Sequence, residues 1–185
     1  RDGNLKSAVG VDISEEAISL AKRTSRENGT DRFAALNSDL NDLKGKVDFG
    51  CNTLVTCNPP YKAPNAGLKN PDGVFAAARH EVACTLSDII SVSARLLQTS
   101  GRLCMCQRPE RLAEITDLMR EFKLEPKRLR LVCKRVGKEP WLVLIEGRKC
   151  ANTGLRIEPT LYVYENGEYS PEMIRIYGSY KEAYL

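Results

Sequence analysis

Several features that define whole classes of proteins are scarce in this sequence. One histidine, His80, occurs among 185 residues, so no second histidine can share a zinc ion with it. No uninterrupted apolar run approaches the roughly 20 residues needed to span a bilayer. The first four residues, Arg-Asp-Gly-Asn, also lack the apolar core of a signal peptide. We therefore expect a cytoplasmic protein that has no membrane partner.

The cysteines argue against both a disulfide framework and a metal centre. Their number is odd and most lie inside apolar, strand-like runs, whereas a secreted disulfide framework is short, even-numbered and rich in loops. No Cys-x-x-Cys pair is present to indicate a zinc site. We expect reduced, buried thiols that act as small apolar side chains, and no metal. The seven are Cys51, Cys57, Cys84, Cys104, Cys106, Cys133 and Cys150.

Charge and length indicate an ordinary globular protein. Lysine and arginine number 28 against 24 aspartate and glutamate residues, a formal charge of +4 with the histidine neutral. Hydrophobic residues make up 42% of the chain, enough for a real core and too many for a disordered chain. We expect a domain over residues 1–150 and an extension over residues 151–185 that packs on it, in a monomer or weak homodimer.

Two periodicities alternate along the chain. Short apolar runs indicate strands over residues 8–13, 32–36, 49–57, 101–107, 128–134 and 140–146. Amphipathic runs indicate helices from a Ser14 cap to a stop at Asn28-Gly29 and over residues 74–84, 87–98 and 110–122. Strands that alternate with helices predict an α/β fold with a mostly parallel sheet, and the last two strands predict an antiparallel hairpin.

The tetrapeptide Asn58-Pro59-Pro60-Tyr61 directly follows a predicted buried strand, where ligands bind in doubly wound sheets. An exocyclic adenine amine, or an amide nitrogen, is a poor nucleophile because its lone pair is delocalised into the π system. The Asn58 side-chain oxygen and the Pro59 carbonyl can each accept one N–H and free that lone pair, while Tyr61 can stack on the base. Asparagine and proline also end strands in simple turns, and for the tetrapeptide alone that interpretation stays open.

Two aspartates stand at the ends of the preceding strands. Asp12 follows the first predicted strand and Asp39 follows the second. A carboxylate at a strand tip can accept two hydrogen bonds from a ribose diol, and Asp39 is placed to accept from the adenine amino group of a cofactor. Each aspartate alone is more often a capping or loop residue. Together with Asn58 they indicate a nucleotide cofactor.

Three segments resemble the second, third and fourth motifs of class I S-adenosylmethionine-dependent amino-methyltransferases: Val11-Asp12-Ile13, Asn37-Ser38-Asp39-Leu40 and Cys57-Asn58-Pro59-Pro60-Tyr61. Further blocks resemble one branch closely, the bacterial tRNA (adenine-N6)-methyltransferases that act on the adenosine 3′ of a valine tRNA anticodon. These blocks cover residues 78–82, 84–86, 108–112 and 124–128.

This resemblance extends over nearly the whole chain. It implies a Rossmann-like fold, S-adenosylmethionine as methyl donor with S-adenosylhomocysteine as product, and tRNA as the substrate. It implies catalytic roles for Asn58, Pro59, Pro60 and Tyr61. It also implies cofactor contacts from Asp12, Ile13, Asp39, Leu40 and Asn58.

One feature of that family is missing from the sequence. The family's first strand ends in a glycine-rich loop, whereas here the chain begins at Arg1, after the expected place of that loop, and Gly3 stands alone. A sheet that lacks its first, central strand leaves edge groups unpaired. We therefore expect a fragment that binds the cofactor poorly and is inactive by itself.

Basic residues cluster in the second half of the chain and favour contact with RNA phosphates. The cluster comprises Arg120, Lys123, Lys127, Arg128, Arg130, Lys134, Arg135 and Lys138. Charge runs are usually solvated faces, and that alternative stays open. The candidate substrate contacts are Tyr61, Arg79, His80, Arg108, Arg111, Arg128 and Arg130. By contrast, we expect core packing of Trp141 and of the tyrosines at 162, 164, 169, 177, 180 and 184.

The leading hypothesis is S-adenosylmethionine-dependent N6-methylation of an adenine in tRNA, by direct methyl transfer to the exocyclic amine. A second hypothesis keeps the chemistry and changes the substrate to a DNA adenine, a ribosomal RNA guanine or a protein glutamine. A third, from a different class, is a catalytically silent RNA-binding module, because the cofactor loop is missing.

Overall fold

The structure is a computed structural model that describes residues 5–59 and 84–178. Four residues with predicted roles, Pro60, Tyr61, Arg79 and His80, lie outside the described residues. The predicted helix over residues 74–84 also lies outside them, apart from its last residue.

The described chain alternates strands and helices. The strands are β1 (Ala8–Asp12), β2 (Phe33–Asn37), β3 (Asn52–Cys57), β4 (Leu97–Gln107), β5 (Leu124–Cys133), β6 (Pro140–Lys149), β7 (Arg156–Ile157), β8 (Leu161–Tyr162), β9 (Tyr164–Glu165) and β10 (Glu168–Tyr169). The helices are α1 (Glu15–Glu27), α2 (Leu86–Leu96), α3 (Leu112–Glu121) and α4 (Pro171–Tyr177). This order confirms the predicted α/β class.

The larger strands form two hydrogen-bonded sheets. β1 pairs parallel with β2, and β3 pairs parallel with β4. β6 then pairs antiparallel with both β4 and β5, so the second sheet has the order β3-β4-β6-β5-β7. The β5–β6 hairpin confirms the predicted antiparallel end of the sheet. Among the residues that the structure describes, no ladder joins β1 or β2 to β3.

Local capping explains where the helices begin. The Ser14 side chain accepts from the backbone N–H of Ala17, and Glu15 and Glu16 place negative charge in the first turn of α1, where it suits the exposed amides. At α2, Thr85 and Asp88 form a reciprocal capping box, and their spacing of three residues is typical of one.

The boundary between α2 and β4 differs from the prediction. The helix ends at Leu96 and the strand begins at Leu97, whereas the apolar pattern predicts a helix to residue 98 and a strand from residue 101. Leu97 pairs with Asn52 of β3, and the Asn52 amide donates to the Leu96 carbonyl at 3.0 Å. Pairing with a distant strand therefore overrides the helical preference of this segment.

The main core lies between the second sheet and helices α2 and α3. Its buried members include Ile90, Leu97, Leu103, Ile115, Met119, Leu124, Val143 and Ile145. A smaller cluster of Val132, Leu161 and Met173 holds β8 and α4 against β5. The division into a domain over residues 1–150 and an extension over residues 151–185 stays a prediction.

The thiols are free, as expected, but their predicted burial is wrong for most of them. Cys133 is buried, whereas Cys51 and Cys150 are exposed and the other four are partly buried. Apolar runs do not reveal which strand ends meet solvent, and Cys57 and Cys106 lie at such ends. Within the described ranges, no helix has the length and apolar character needed to cross a membrane.

Candidate active site at the carboxyl ends of the strands

The ends of β1 and β2 are tied together by a side chain. The Asn37 amide donates to the backbone carbonyls of Asp12 and Ile13 at 3.1 and 2.9 Å. Asp12 is exposed at the tip of β1, and its Oδ1 accepts from the Ser14 N–H at 2.8 Å. Ile13 lies beside it and is 46% exposed. These contacts fix one carboxylate at the strand end.

Asp39 is held by the turn that follows β2. Its Oδ1 accepts from the Asn41 N–H at 2.8 Å and caps a 3₁₀ turn over Leu40–Asp42. The buried Ser38 hydroxyl donates to the backbone carbonyls of Asp39 and Asp42, and it accepts from the Lys46 ammonium at 2.9 Å. These hydrogen bonds therefore hold the backbone of the turn that carries the Asp39 carboxylate.

Asn58 follows the last residue of β3 and is exposed, while the next residue, Pro59, is buried. The Cys106 thiol lies 3.0 Å from Asn58 Oδ1, at hydrogen-bond distance for a thiol donor. Cys106 is on β4, which runs parallel to β3 and ends at the same edge. The structure thus has an exposed Asn58 amide at a strand tip, where the sequence predicts it, and its role as an amine acceptor stays a prediction.

Two thiols near Asn58 are shifted towards their neutral form. Burial, and next the neighbouring Cys106, raise the pKa of Cys57 to about 11. Burial raises the pKa of Cys84 to about 11, with further contributions from Asp88, Asp39 and Cys57. Both thiols are therefore protonated at neutral pH and are not thiolate nucleophiles.

Two strand ends contribute to the raised pKa of Cys84. Asp39, after β2, and Cys57, at the end of β3, both act on the same thiol. That the two sheets present their carboxyl ends to one site stays a prediction.

The acidic residues present there fit a nucleotide cofactor. Asp12 and Asp39 each use one oxygen for a nearby backbone N–H, and no hydrogen bond from a described residue engages the other oxygen. Each carboxylate can thus accept from a ribose hydroxyl or an amino group. Leu40 and Ile13 flank these carboxylates with apolar side chains. In the part of the chain that the structure describes, no three His, Cys, Asp or Glu side chains are grouped as metal ligands.

Arg108 occupies the same edge of the sheet, after β4. Its guanidinium donates to the Trp141 carbonyl at 3.2 Å and lies 5.9 Å from the centre of the Trp141 ring. Trp141 is 42% exposed, so its predicted burial in the core is wrong. As the second residue of β6, it lies at the sheet edge that Arg108 also borders.

The other predicted substrate arginines that the structure describes, Arg111, Arg128 and Arg130, are engaged with carboxylates. Arg111 makes two hydrogen bonds to Glu114, and Arg130 makes two to Glu172. Arg128 contacts Glu146 and Glu158 at 3.2 and 3.4 Å. Their charges are therefore compensated inside the protein, and their contact with RNA stays a prediction.

Sequence reasoning missed the contact between Cys106 and Asn58. It assigned Cys106 to the apolar interior, because spacing within β4 does not show that the strand ends beside β3. A hydrogen bond between two strand tips is visible only once the strands are placed.

Comparisons with known proteins show relatives in sequence and in fold. No protein-family model matches the chain. Over 145 residues it is 32% identical to a protein of Porphyromonas gingivalis named tRNA1(Val) (adenine(37)-N6)-methyltransferase, a match that covers 76% of this chain. The chain spans about half of that relative's length, 54%.

Solved structures share the fold at low sequence identity. A predicted O-methyltransferase from Agrobacterium tumefaciens matches with a TM-score of 0.69 and 19% identity, over 89% of this chain and 74% of that one. An S-adenosylmethionine-dependent methyltransferase from Methanosarcina mazei matches with a TM-score of 0.54 and 14% identity, over 79% and 83% of the two chains. The chain therefore has the Rossmann-like fold of class I methyltransferases.

Proposed function

We propose that this chain carries the catalytic part of an S-adenosylmethionine-dependent methyltransferase that modifies the N6 amine of an adenine in tRNA. The exposed Asn58 amide at the tip of β3, with its Oδ1 3.0 Å from the Cys106 thiol, carries this proposal. The tRNA substrate is supported by the name of the relative that is 32% identical.

The residues divide into a cofactor side and a substrate side. On the cofactor side, the Asp12 and Asp39 carboxylates accept from the hydroxyl and amino groups of a nucleoside, with Ile13 and Leu40 beside them. S-adenosylmethionine, when bound there, supplies an electrophilic methyl group on a sulfonium. Asp12 ends β1 and Asp39 follows the neighbouring strand β2, and doubly wound α/β folds bind nucleotides at such strand ends.

On the substrate side, Asn58 acts on the nitrogen that is to be methylated. Its Oδ1 accepts one N–H of the amine, and the Pro59 carbonyl, on a residue that has no N–H to donate, accepts the other. Two acceptors favour a pyramidal nitrogen, so the lone pair leaves the π system and would be available to form the N–C bond as the sulfonium C–S bond breaks. The proton that the methylated nitrogen loses would pass to water. Fixed acceptors of this kind stabilise the transition state without any proton transfer from a titrating side chain.

The substrate base must leave its stack to reach Asn58. An unpaired nucleotide in an anticodon loop does so at lower cost than a base in a duplex. The predicted stacking of Tyr61 on that base concerns a residue outside the described ranges and stays a prediction.

The test is an Asn58→Ala variant of the natural protein that carries this chain. Labelled methyl donor is incubated separately with tRNA, DNA and protein, and the modified base in tRNA is mapped. We expect wild type to label adenine N6 in tRNA and the variant to lose about 100-fold or more of the rate, as for loss of a transition-state hydrogen bond. An Asn152→Ala variant, which removes an exposed amide elsewhere, controls for the substitution itself.

The outcomes separate chemistry from substrate. If DNA or protein is labelled in place of tRNA, the proposed tRNA substrate is wrong and the proposed role of Asn58 is unaffected. An Asn58→Ala variant as active as Asn152→Ala contradicts the mechanism.

A further inference from the structure

A basic turn joins β5 to β6. It contains Lys134, Arg135 and Lys138, all of them exposed, and in the described chain none of the three forms an ion pair with a carboxylate. Glu139 at the end of the turn offsets one of the three charges. Unlike Arg128 and Arg130 on the neighbouring strand, these side chains keep their charge available to a partner.

Three tyrosines stack beside this turn. The rings of Tyr164 and Tyr169 lie 5.2 Å apart at 15°, and those of Tyr169 and Tyr177 lie 6.0 Å apart at 23°. Tyr177 is 49% exposed, and Tyr164 and Tyr169 are partly buried, so these rings form a surface feature. Tyr169 packs against the smaller cluster of Val132, Leu161 and Met173, as predicted, whereas the exposed Tyr177 ring does not fit the predicted core packing.

Backbone hydrogen bonds join the turn to the stack. The Tyr164 N–H donates to the Lys134 carbonyl at 2.9 Å, and the Val163 N–H donates to the Cys133 carbonyl at 3.0 Å. Within the hairpin, Tyr164 pairs with Tyr169 and Glu165 pairs with Glu168. Because successive side chains alternate between faces, the two glutamates lie on the face opposite the two tyrosines.

The turn and the stack lie at the same edge of the sheet as the candidate active site. β4 ends at this edge, and β6, which runs antiparallel to it, begins there. The β5–β6 turn therefore shares the edge with Asn58, and β4 and β6 lie between β3 and β5. Three strand spacings of about 4.8 Å separate β3 from β5, roughly 14 Å across the sheet.

We propose that the basic turn (Lys134, Arg135 and Lys138) and the tyrosine stack (Tyr164, Tyr169 and Tyr177) form an RNA-contact surface that continues from Asn58 along the sheet edge. The proposal rests on the proposed RNA substrate and adds to it a surface beyond the reacting base. The turn neutralises phosphates, and the exposed Tyr177 ring stacks on an unpaired base. Arg108 and Trp141 lie along the path between the two.

RNA fits this surface better than a polyanion without bases. Unpaired cations alone attract any phosphate or carboxylate, whereas adjacent stacked rings offer a flat face that every nucleobase can cover. Single-stranded RNA presents both partners, phosphates and unstacked bases, at short spacing along one chain.

The test measures binding of fluorescent tRNA to the natural protein that carries this chain, over a range of salt concentrations. The measured quantity is the slope of the logarithm of the tRNA association constant against the logarithm of the salt concentration. We expect the double variant Lys134→Ala/Arg135→Ala to lower the magnitude of this slope by about 1 to 2, because two phosphate contacts are lost. Lys22→Ala/Arg26→Ala removes the same two residue types from exposed positions on α1 and serves as the control. We expect Tyr177→Ala to weaken binding about tenfold or more, and Tyr177→Phe to restore it.

Methyl transfer measured in parallel separates this proposal from the proposed function. For the turn variant we expect a raised KM for tRNA and an unchanged kcat.

Equal salt slopes for the turn variant and the α1 control overturn the role of the turn, and unchanged binding by Tyr177→Ala overturns the role of the stack. Loss of binding to tRNA and to heparin in equal proportion shows a general polyanion surface and overturns RNA recognition. If tRNA binds in a salt-dependent way but is not methylated, the proposed function is wrong and the proposed RNA-contact surface is still supported.

Discussion

At the scale of single residues, the pair of Asn58 and Cys106 distinguishes this site from a simple turn. An asparagine that merely ends a strand needs no partner on the neighbouring strand. Here the Cys106 thiol lies 3.0 Å from Asn58 Oδ1 and is placed to hold the amide plane. Since Oδ1 has two lone pairs, it can accept from the thiol and from a substrate amine together.

Cys106 is therefore predicted to act as a positioning residue. We expect Cys106→Ala to lower kcat about fivefold to tenfold, the value of one modest hydrogen bond, with little change in KM for the methyl donor. Cys106→Ser, whose hydroxyl also donates, should recover most of the rate. Steady-state kinetics with Cys51→Ala, an exposed thiol elsewhere, provide the comparison. If Cys106→Ala and Cys51→Ala have the same kcat, Cys106 is not a positioning residue.

At the scale of elements, the C-terminal segment is attached by a few identifiable contacts. β8 pairs with β5, the Ser170 hydroxyl donates to the Tyr162 carbonyl at 2.6 Å, and Met173 packs against Val132 and Leu161. Arg130 adds a two-point ion pair with Glu172. These contacts place the tyrosine stack beside the basic turn, so the fold of the segment controls the proposed RNA surface.

The Arg130–Glu172 pair predicts a pH dependence of stability. Its hydrogen bond lowers the pKa of Glu172 from the ordinary value, so the pair stabilises the folded state above the unfolded carboxyl pKa of about 4.3. That stability is lost as the pH falls through the lower, folded pKa. We expect Glu172→Gln to lower Tm at pH 7, and the difference from wild type to shrink at pH 3, as measured by circular dichroism.

A matched control isolates this pair from the other carboxylates. Glu27→Gln alters the exposed pair with Arg23, whose closest atoms are 3.8 Å apart, and should leave Tm nearly unchanged at both pH values. A difference between wild type and Glu172→Gln that stays constant from pH 7 to pH 3 is inconsistent with an ionic contribution.

At the scale of the whole molecule, the candidate site is divided between two sheets. The β1–β2 sheet carries Asp12 and Asp39, and the second sheet carries Asn58. Across the described ranges no ladder joins them, and the Leu40–Asp42 turn after β2 contacts α2, which packs on the second sheet. Within the described residues, no strand pairing therefore fixes the cofactor half of the site relative to the substrate half.

This division predicts weak cofactor binding by the 185-residue chain. We expect equilibrium dialysis with S-adenosylhomocysteine to give a Kd well above micromolar, because binding must also order the two sheets. Asp39→Asn should weaken it about tenfold further through loss of a charged acceptor. Asp31→Asn, at an exposed position, should leave it unchanged. Micromolar binding by the unaltered chain contradicts the expected weakness, and equal Kd values for the two variants contradict the role of Asp39.

The sequence by itself determined the local features of this protein. Caps at Ser14 and Thr85 and apolar alternation in the strands depend on neighbours a few residues away, so spacing alone predicts them. The order of strands and helices likewise determined that Asp12, Asp39 and Asn58 stand at strand ends. The position of Asn58-Pro59 at the ligand-binding edge also follows from the sequence, because the carboxyl ends of parallel strands lie at one edge of a sheet.

Only the tertiary structure decided which side chains meet. Arg128 contacts Glu158 as well as Glu146 of β6, and Arg130 contacts Glu172, so part of the compensation of their charges depends on how the C-terminal segment packs. The meeting of Cys106 with Asn58 and the stacking of the tyrosines depend in the same way on pairing between separate strands. Such contacts join residues distant in sequence, and no local pattern records the register or the packing that brings them together.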